Sequence, residues 1–123
     1  MMTFEQIDSR NIAEIEIDGA ITKSEIEPMI EKLDGMINEF GKIRVLEIIR
    51  GIGKVEPSAM WADLKWETRH IRSFSHVAIV ADQHWVEWMV KPLALLFPAE
   101  IRVFHLDEID EAREWIRTCD PEH

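Results

Sequence analysis

The pattern of hydrophobic and polar positions predicts a chain of alternating strands and helices. Residues 12–18, IAEIEID, alternate apolar and acidic side chains, which is typical of a strand with one solvated face. Residues 4–8 are a shorter strand candidate, and the polar turn at residues 9–11 predicts an antiparallel hairpin that ends at Gly19. Residues 43–49, IRVLEII, are almost continuously apolar and β-branched, as expected of a central strand covered on both faces.

The first helix has the clearest amphipathic pattern. Apolar residues recur at steps of three and four from Ile26 to Phe40, and Gly41 follows as a C-terminal stop. Thr22 and Glu25 have the spacing of a capping box, with Thr22 as N-cap. We therefore expect a helix that begins after Thr22 and ends at Gly41.

Three further helices and two further strands complete the predicted order. After a turn at residues 50–56, a second helix begins near Pro57 or Ser58, and strands follow at residues 76–81 and 101–106. Asp82 and Asp107 are expected to cap the third and fourth helices. The order β-β-α-β-α-β-α-β-α favours a mostly parallel five-stranded sheet with an N-terminal antiparallel hairpin and four helices. Ligands of open α/β sheets bind at the carboxyl edge of the strands.

Length and charge exclude several classes of function. The 123 residues predict one domain, residues 1–119, followed by a frayed tail at residues 120–123. A net charge of −10 argues against nucleic-acid binding and allows at most transient contact with anionic membranes. There is no signal-peptide pattern and no apolar run of about 20 residues, so we expect a cytoplasmic protein. The single cysteine, Cys119, excludes an intramolecular disulfide.

The second and third predicted helices are unusually rich in tryptophan. Trp61 and Trp66 lie on one helix, and Trp85 and Trp88 on the other. These side chains could be core, or they could line a lipophilic cleft or partner surface between the two helices, because exposed aromatic residues are enriched at such surfaces. The candidate ligand-binding residues, with the first two at the mouth of the cleft, are Lys54, Ser58, Trp61, Trp66, Trp88, Met89 and Leu95.

A second candidate site consists of acidic and imidazole side chains. Asp82, His84, His105 and Asp107 fall near the same sheet edge, where they could bind a metal or transfer protons. Their spacing is not diagnostic, and both aspartates are also expected as helix caps. No cofactor or metal is therefore predicted.

Several short motifs resemble a known protein family. They are residues 77–82 (VAIVAD), Trp85 with Trp88, residues 99–102 (AEIR) with Phe104, residues 106–108 (LDE) with Ala112 and Trp115, and residues 61–65 (WADLK). Together they resemble the SpoIIAA-like family, which is related to STAS domains (sulfate transporter and anti-sigma factor antagonist). The resemblance covers nearly the whole chain. It implies a single STAS-like α/β domain that binds protein partners, nucleotides or apolar ligands and does not catalyse reactions.

The family's phosphorylation motif is not matched. In the anti-sigma antagonists a partner kinase phosphorylates a serine after the third strand, within a D-S-S-G-like motif. Residues 50–58 here read RGIGKVEPS, without the Asp-Ser pair. Ser58 is the nearby serine, and it would serve equally as a helix N-cap or as a modification site.

Three functions remain open from the sequence. The leading one is a non-enzymatic binding or regulatory module that holds an apolar or lipid-like small molecule between the second and third helices. The alternative is a protein-interaction domain in a signalling pathway, and the third is a small enzyme that uses the Asp/His cluster. Unpaired edge strands and apolar helix faces also make a homodimer a plausible assembly.

Overall fold

A five-stranded sheet organises the chain. The computed structural model describes residues 1–55, 69–82 and 98–119. The strands lie in chain order, with the first antiparallel to the second and the others parallel. Their bounds are β1 Met2–Gln6, β2 Ile12–Ile21, β3 Ile43–Val55, β4 Phe74–Val80 and β5 Glu100–Phe104. The predicted mixed sheet with an N-terminal hairpin is confirmed.

Two of the four predicted helices lie within the described ranges. They are α1, Lys23–Phe40, and α2, Ile109–Thr118, which follow β2 and β5. Single 3₁₀ turns cover Ile71–Ser73 and Leu106–Glu108. Residues 69 and 70 are helical, while the rest of the second predicted helix and the whole third one lie outside the described residues.

The ends of α1 agree with the sequence signals except that the predicted capping box is not formed. Thr22 is the N-cap, and its carbonyl accepts the backbone N–H groups of Glu25 and Ile26. The Thr22 hydroxyl contacts the Glu25 carboxylate at 3.2 Å, so the reciprocal side-chain-to-backbone capping box is not formed. Gly41 has a φ of +82° and donates its N–H to the Ile37 carbonyl at 2.8 Å, which ends the helix as predicted.

Strands β2 and β3 are both longer than predicted. The chain passes through Gly19 at a φ of +84° and continues to Ile21, with register shifts on either side of the glycine. β3 continues to Val55, so the turn predicted from Arg50 onward is wrong. The ends of β2 and β3 extend each other by pairing, with Gly19 opposite Ile52 and Ile21 opposite Val55. These backbone partners lie far apart in the chain, so the local sequence does not indicate them.

The sheet has an apolar core on each face. On one face α1 packs against a cluster from β2, β3 and β4 that includes Ile15, Val45 and Phe74. On the other face α2 places Ala112 and Ile116 among Ile12, Leu46, Ile48, Ala78 and Val80. In β2 and β3 these residues alternate with those of the first cluster, as the two-residue period of a strand requires.

Candidate functional site

An apolar cluster occupies the carboxyl edge of the sheet, where ligand sites of open α/β sheets lie. Ile49 and Ala81 are buried there and pack with Ile17 and Ile79. Ile17 also joins a neighbouring cluster around Ile21 and Ile26 at the start of α1. The chain leaves the described residues at positions 55 and 82, directly after β3 and β4. Both tryptophan-rich segments therefore begin at this edge of the sheet.

Most of the sequence-predicted ligand residues fall in those two segments. Ser58, Trp61, Trp66, Trp88, Met89 and Leu95 lie outside the described residues, as does His84. Lys54 lies in β3, one residue before the strand ends, and not in the turn predicted from sequence. The convergence of these residues on one cleft stays a prediction.

The described part of the Asp/His cluster is engaged in local structure. The His105 carbonyl accepts the Glu108 backbone N–H at 2.9 Å, and the Glu108 carboxylate accepts the His105 N–H at 2.8 Å. This reciprocal cap holds the 3₁₀ turn before α2, so the expectation that Asp107 caps the last helix is wrong. Within residues 1–55, 69–82 and 98–119, no three His, Cys, Asp or Glu side chains are grouped for a metal ion.

Arg44 is a buried cation that sequence analysis missed. Its side chain is 1% exposed, at the amino-terminal end of β3. The guanidinium donates to the Asn11 amide oxygen at 2.7 Å and to the Ile116 carbonyl at 2.9 Å, with longer contacts to the carbonyls of Arg117 and Cys119. These carbonyls end α2, where the helix dipole is negative. A single arginine within a mostly apolar strand can indicate a buried cation from the sequence alone. Such a cation must find hydrogen-bond partners, because burying an unpaired charge is costly.

A polar chain runs beside Arg44 on β4. His76 is 2% exposed and lies opposite Arg44 in the sheet. Its Nδ1 is 3.1 Å from the Ser75 hydroxyl, and its Nε2 is 3.4 Å from a Glu100 carboxylate oxygen. The ring also meets Trp115 edge-on at 5.7 Å. Ser75 is itself only 2% exposed, so this serine–histidine–glutamate chain cannot present a nucleophile to a substrate.

Acidic residues of β2 are paired with arginines on the α2 face. Glu14 accepts two hydrogen bonds from Arg113, at 2.9 and 3.0 Å, and Glu16 pairs with Arg50. The hydrogen bond that Arg113 donates to Glu14 raises the pKa of the Arg113 guanidinium above its ordinary value. These pairs join the alternating acidic strand to α2 and β3, so part of the acidic pattern is structural.

Cys119 is a partly buried thiol beside the Arg44 site. Its Sγ donates to the Ile116 carbonyl at 3.4 Å. Burial raises the pKa of the thiol, and the nearby Arg44 offsets this only in part. The neutral thiol is therefore favoured, which gives Cys119 the properties of an inert structural cysteine.

No helix among the described residues is long and apolar enough to cross a membrane.

Comparison with known proteins identifies the fold and the family. The sequence profile of the SpoIIAA-like family matches residues 12–117, from the start of β2 to the last turn of α2. The chain belongs to the SpoIIAA-like family. The match leaves out β1 and confirms the resemblance inferred from the short motifs.

A solved structure agrees with this SpoIIAA-like assignment. The chain superposes with a TM-score of 0.76 on an uncharacterized DUF3478-family protein with a SpoIIAA-like fold from Shewanella loihica PV-4. The two are 22% identical over 94% of this chain and 92% of the other. At 22% identity, this similarity shows that the two proteins share a fold. A comparison with curated protein sequences finds no match.

Proposed function

We propose that this SpoIIAA-like chain is a non-enzymatic binding or regulatory module for an apolar or lipid-like small molecule. The ligand would lie at the carboxyl edge of the sheet, between the second and third predicted helices. The observation that carries the proposal is the apolar cluster of Ile17, Ile49, Ile79 and Ala81 at that edge. The second tryptophan-rich segment departs beside this cluster, after Asp82, and the first departs from Val55, six residues further along β3 than Ile49.

The distribution of tryptophan supports the same location. Trp115, the one tryptophan among the described residues, packs on the opposite face of the sheet near Phe104 and His76. The other four belong to the two segments that leave from the carboxyl edge. The core clusters of the described residues consist mainly of aliphatic side chains. Burial of an apolar ligand against such rings would contribute roughly 25 cal/mol per Å².

The charges near the mouth suggest an amphipathic ligand. Lys54 lies at the end of β3, in a chain whose net charge is −10. A lysine at the mouth would pair with an anionic head group while the apolar tail contacts the tryptophans. A fatty acid combines both features, and it is the simplest probe for the site.

The test combines native mass spectrometry with a titration. Protein purified from its own cells is examined for a co-purifying small molecule, and hexadecanoic acid is then titrated while tryptophan fluorescence is followed. We expect saturable binding that is lost in a Trp66→Ala/Trp88→Ala variant. Trp115→Phe is the matched control, because it alters an indole on the opposite face and should leave binding intact.

Two outcomes would contradict the proposal. If the purified protein holds no bound molecule and does not respond to hexadecanoic acid, the proposed binding of an apolar ligand is wrong. Binding that survives in Trp66→Ala/Trp88→Ala but is lost in Trp115→Phe would place the site elsewhere. A protein captured through the tryptophan-rich segments in place of a small molecule would establish the interaction-domain alternative. Circular dichroism of each variant shows whether its fold is retained.

A further inference from the structure

Strand β5 is an edge of the sheet. Among the described residues it pairs with β4 and with no other strand. The Phe104 carbonyl accepts the Ala81 N–H at 3.1 Å, so the backbone of Phe104 points toward β4. Backbone directions alternate along a strand, and therefore the N–H and C=O groups of Ile101 and Val103 point outward. Such an edge is a template on which another strand can pair.

The side chains along this edge alternate between charged and apolar. Glu100 and Arg102 pair in register with His76 and Ala78, which places both on the α2 face. The Glu100 side chain is 68% exposed, and Arg102 is also exposed. Ile101 and Val103 lie on the other face, where Val103 is one of three large hydrophobic residues described as exposed, at 38%. A matching partner strand needs opposite charges on one face and apolar residues on the other.

We propose that β5 pairs antiparallel with β5 of a second copy of this chain, about a twofold axis at Ile101. In this register Ile101 faces Ile101 of the second copy, and each donates its outward N–H to the other's carbonyl. Glu100 then lies directly opposite Arg102 of the second copy, and the symmetry repeats the pair. Val103 lies opposite Ala99, so the apolar face is matched as well. The two sheets would become one continuous ten-stranded sheet.

Neighbouring registers lack this match. An axis at Arg102 places two arginines opposite one another, and like charges at that position destabilise a strand pair. An axis at Val103 sets Arg102 opposite Phe104 and leaves Glu100 without a cation. The other edge strand, β1, has Glu5 as its charged residue and no basic side chain in its sequence, MTFEQ. Only the register at Ile101 of β5 therefore offers reciprocal opposite charges.

Contacts within one chain already orient the two charged side chains. The Arg102 guanidinium lies over the Trp115 ring at 5.6 Å. A Glu100 carboxylate oxygen lies 3.4 Å from His76 Nε2. Each is thus held on the α2 face before association, which lowers the entropy cost of forming the pair. Since two five-residue strands give a small interface, the dimer is expected to be transient and concentration-dependent.

Charge exchange tests the proposal. Sedimentation velocity is measured from about 10 to about 500 µM, the range in which a small interface associates. The wild-type chain should dimerise, and Glu100→Arg and Arg102→Glu should each weaken the dimer by about tenfold or more. An equimolar mixture of the two variants should form a heterodimer, since the arginine introduced in one chain then lies opposite the glutamate introduced in the other. The E100R/R102E double variant should dimerise with itself again.

Two further variants separate β5 pairing from other association. Glu5→Arg on the opposite edge makes the same change of charge and should leave the dimer unchanged. Val103→Pro removes an outward N–H that β4 does not use, so the folded monomer should persist while the dimer is lost. A wild-type chain that stays monomeric throughout would overturn the proposal. So would single variants that dimerise as well as wild type, or a mixture that fails to form the heterodimer.

Discussion

Replacement of Arg44 by methionine tests whether the buried guanidinium fastens the last helix to the sheet. Methionine keeps much of the volume of the arginine side chain but cannot donate hydrogen bonds. The substitution leaves the Ile116 carbonyl buried without its 2.9 Å donor and removes the cation from the C-terminal end of α2. Asn11 also loses the donor to its amide oxygen at 2.7 Å.

The expected loss of stability follows from these contacts. A buried carbonyl that loses its main donor costs about 1–3 kcal/mol, and the Cys119 thiol that also donates to Ile116, at 3.4 Å, is only a weak donor. The lost interaction with the helix end adds about 0.5–2 kcal/mol. Relief from burying the charge offsets part of this, because desolvation of an ion costs several kcal/mol. We therefore expect Arg44→Met to lower the free energy of unfolding by about 1–4 kcal/mol.

Urea denaturation followed by far-ultraviolet circular dichroism measures this change. With an m-value of about 2 kcal/mol/M for a domain of this size, the midpoint should fall by about 0.5–2 M. Arg10→Met is the matched control. Arg10 also donates to the Arg117 carbonyl, at 3.3 Å, but it is exposed, so its loss should cost no more than about 0.5 kcal/mol. Equal midpoints for wild type and Arg44→Met would refute the role assigned to Arg44.

The backbone conformations at two glycines, Gly35 and Gly41, and the burial of Cys119 give further predictions that need only purified protein. Gly41→Ala should destabilise the chain by about 1–2 kcal/mol, because Gly41 ends α1 at a φ of +82° that alanine disfavours. Gly35→Ala should instead stabilise it by about 0.5–1 kcal/mol, since the site is exposed within α1 and an added Cβ meets nothing within 4 Å; equal effects in thermal unfolding would contradict both. Alkylation of Cys119 by iodoacetamide should show a midpoint at higher pH in the folded chain than in urea, because burial raises the pKa of its thiol; the same midpoint in both states would argue against this account.

The fold was largely predictable because its main signals are local. The spacing of Ile26, Met29, Leu33 and Met36 predicts the buried face of α1, and all four are buried. Thr22 and Gly41 mark its ends within a few residues of that pattern. The alternation of residues 12–18 likewise predicts which β2 side chains share a face, although α2 covers the acidic face around Glu14, which was expected to be solvated. Each of these signals needs only the residues of one element.

Features that depend on distant residues were not predictable in the same way. The glycines of residues 50–53 indicated a turn, but pairing with the end of β2 extends β3 through them. His76 at the start of a strand gave no sign that Arg44 and Trp115 would enclose it. The carbonyls that satisfy Arg44 lie more than 70 residues further along the chain. The candidate ligand residues are a separate matter, because most lie outside the described residues.

The order of the strands has a consequence for synthesis of the chain. Each strand lies beside the one that precedes it, so a ribosome releases the strands in the order in which they pair. The sheet can therefore grow during translation, one strand at a time. Arg44 emerges early, in β3, but its helical acceptors belong to α2. Before α2 is made, Arg44 in the central strand has Asn11 as a partner but lacks its helical acceptors, so the native packing is completed only when the last helix has left the ribosome.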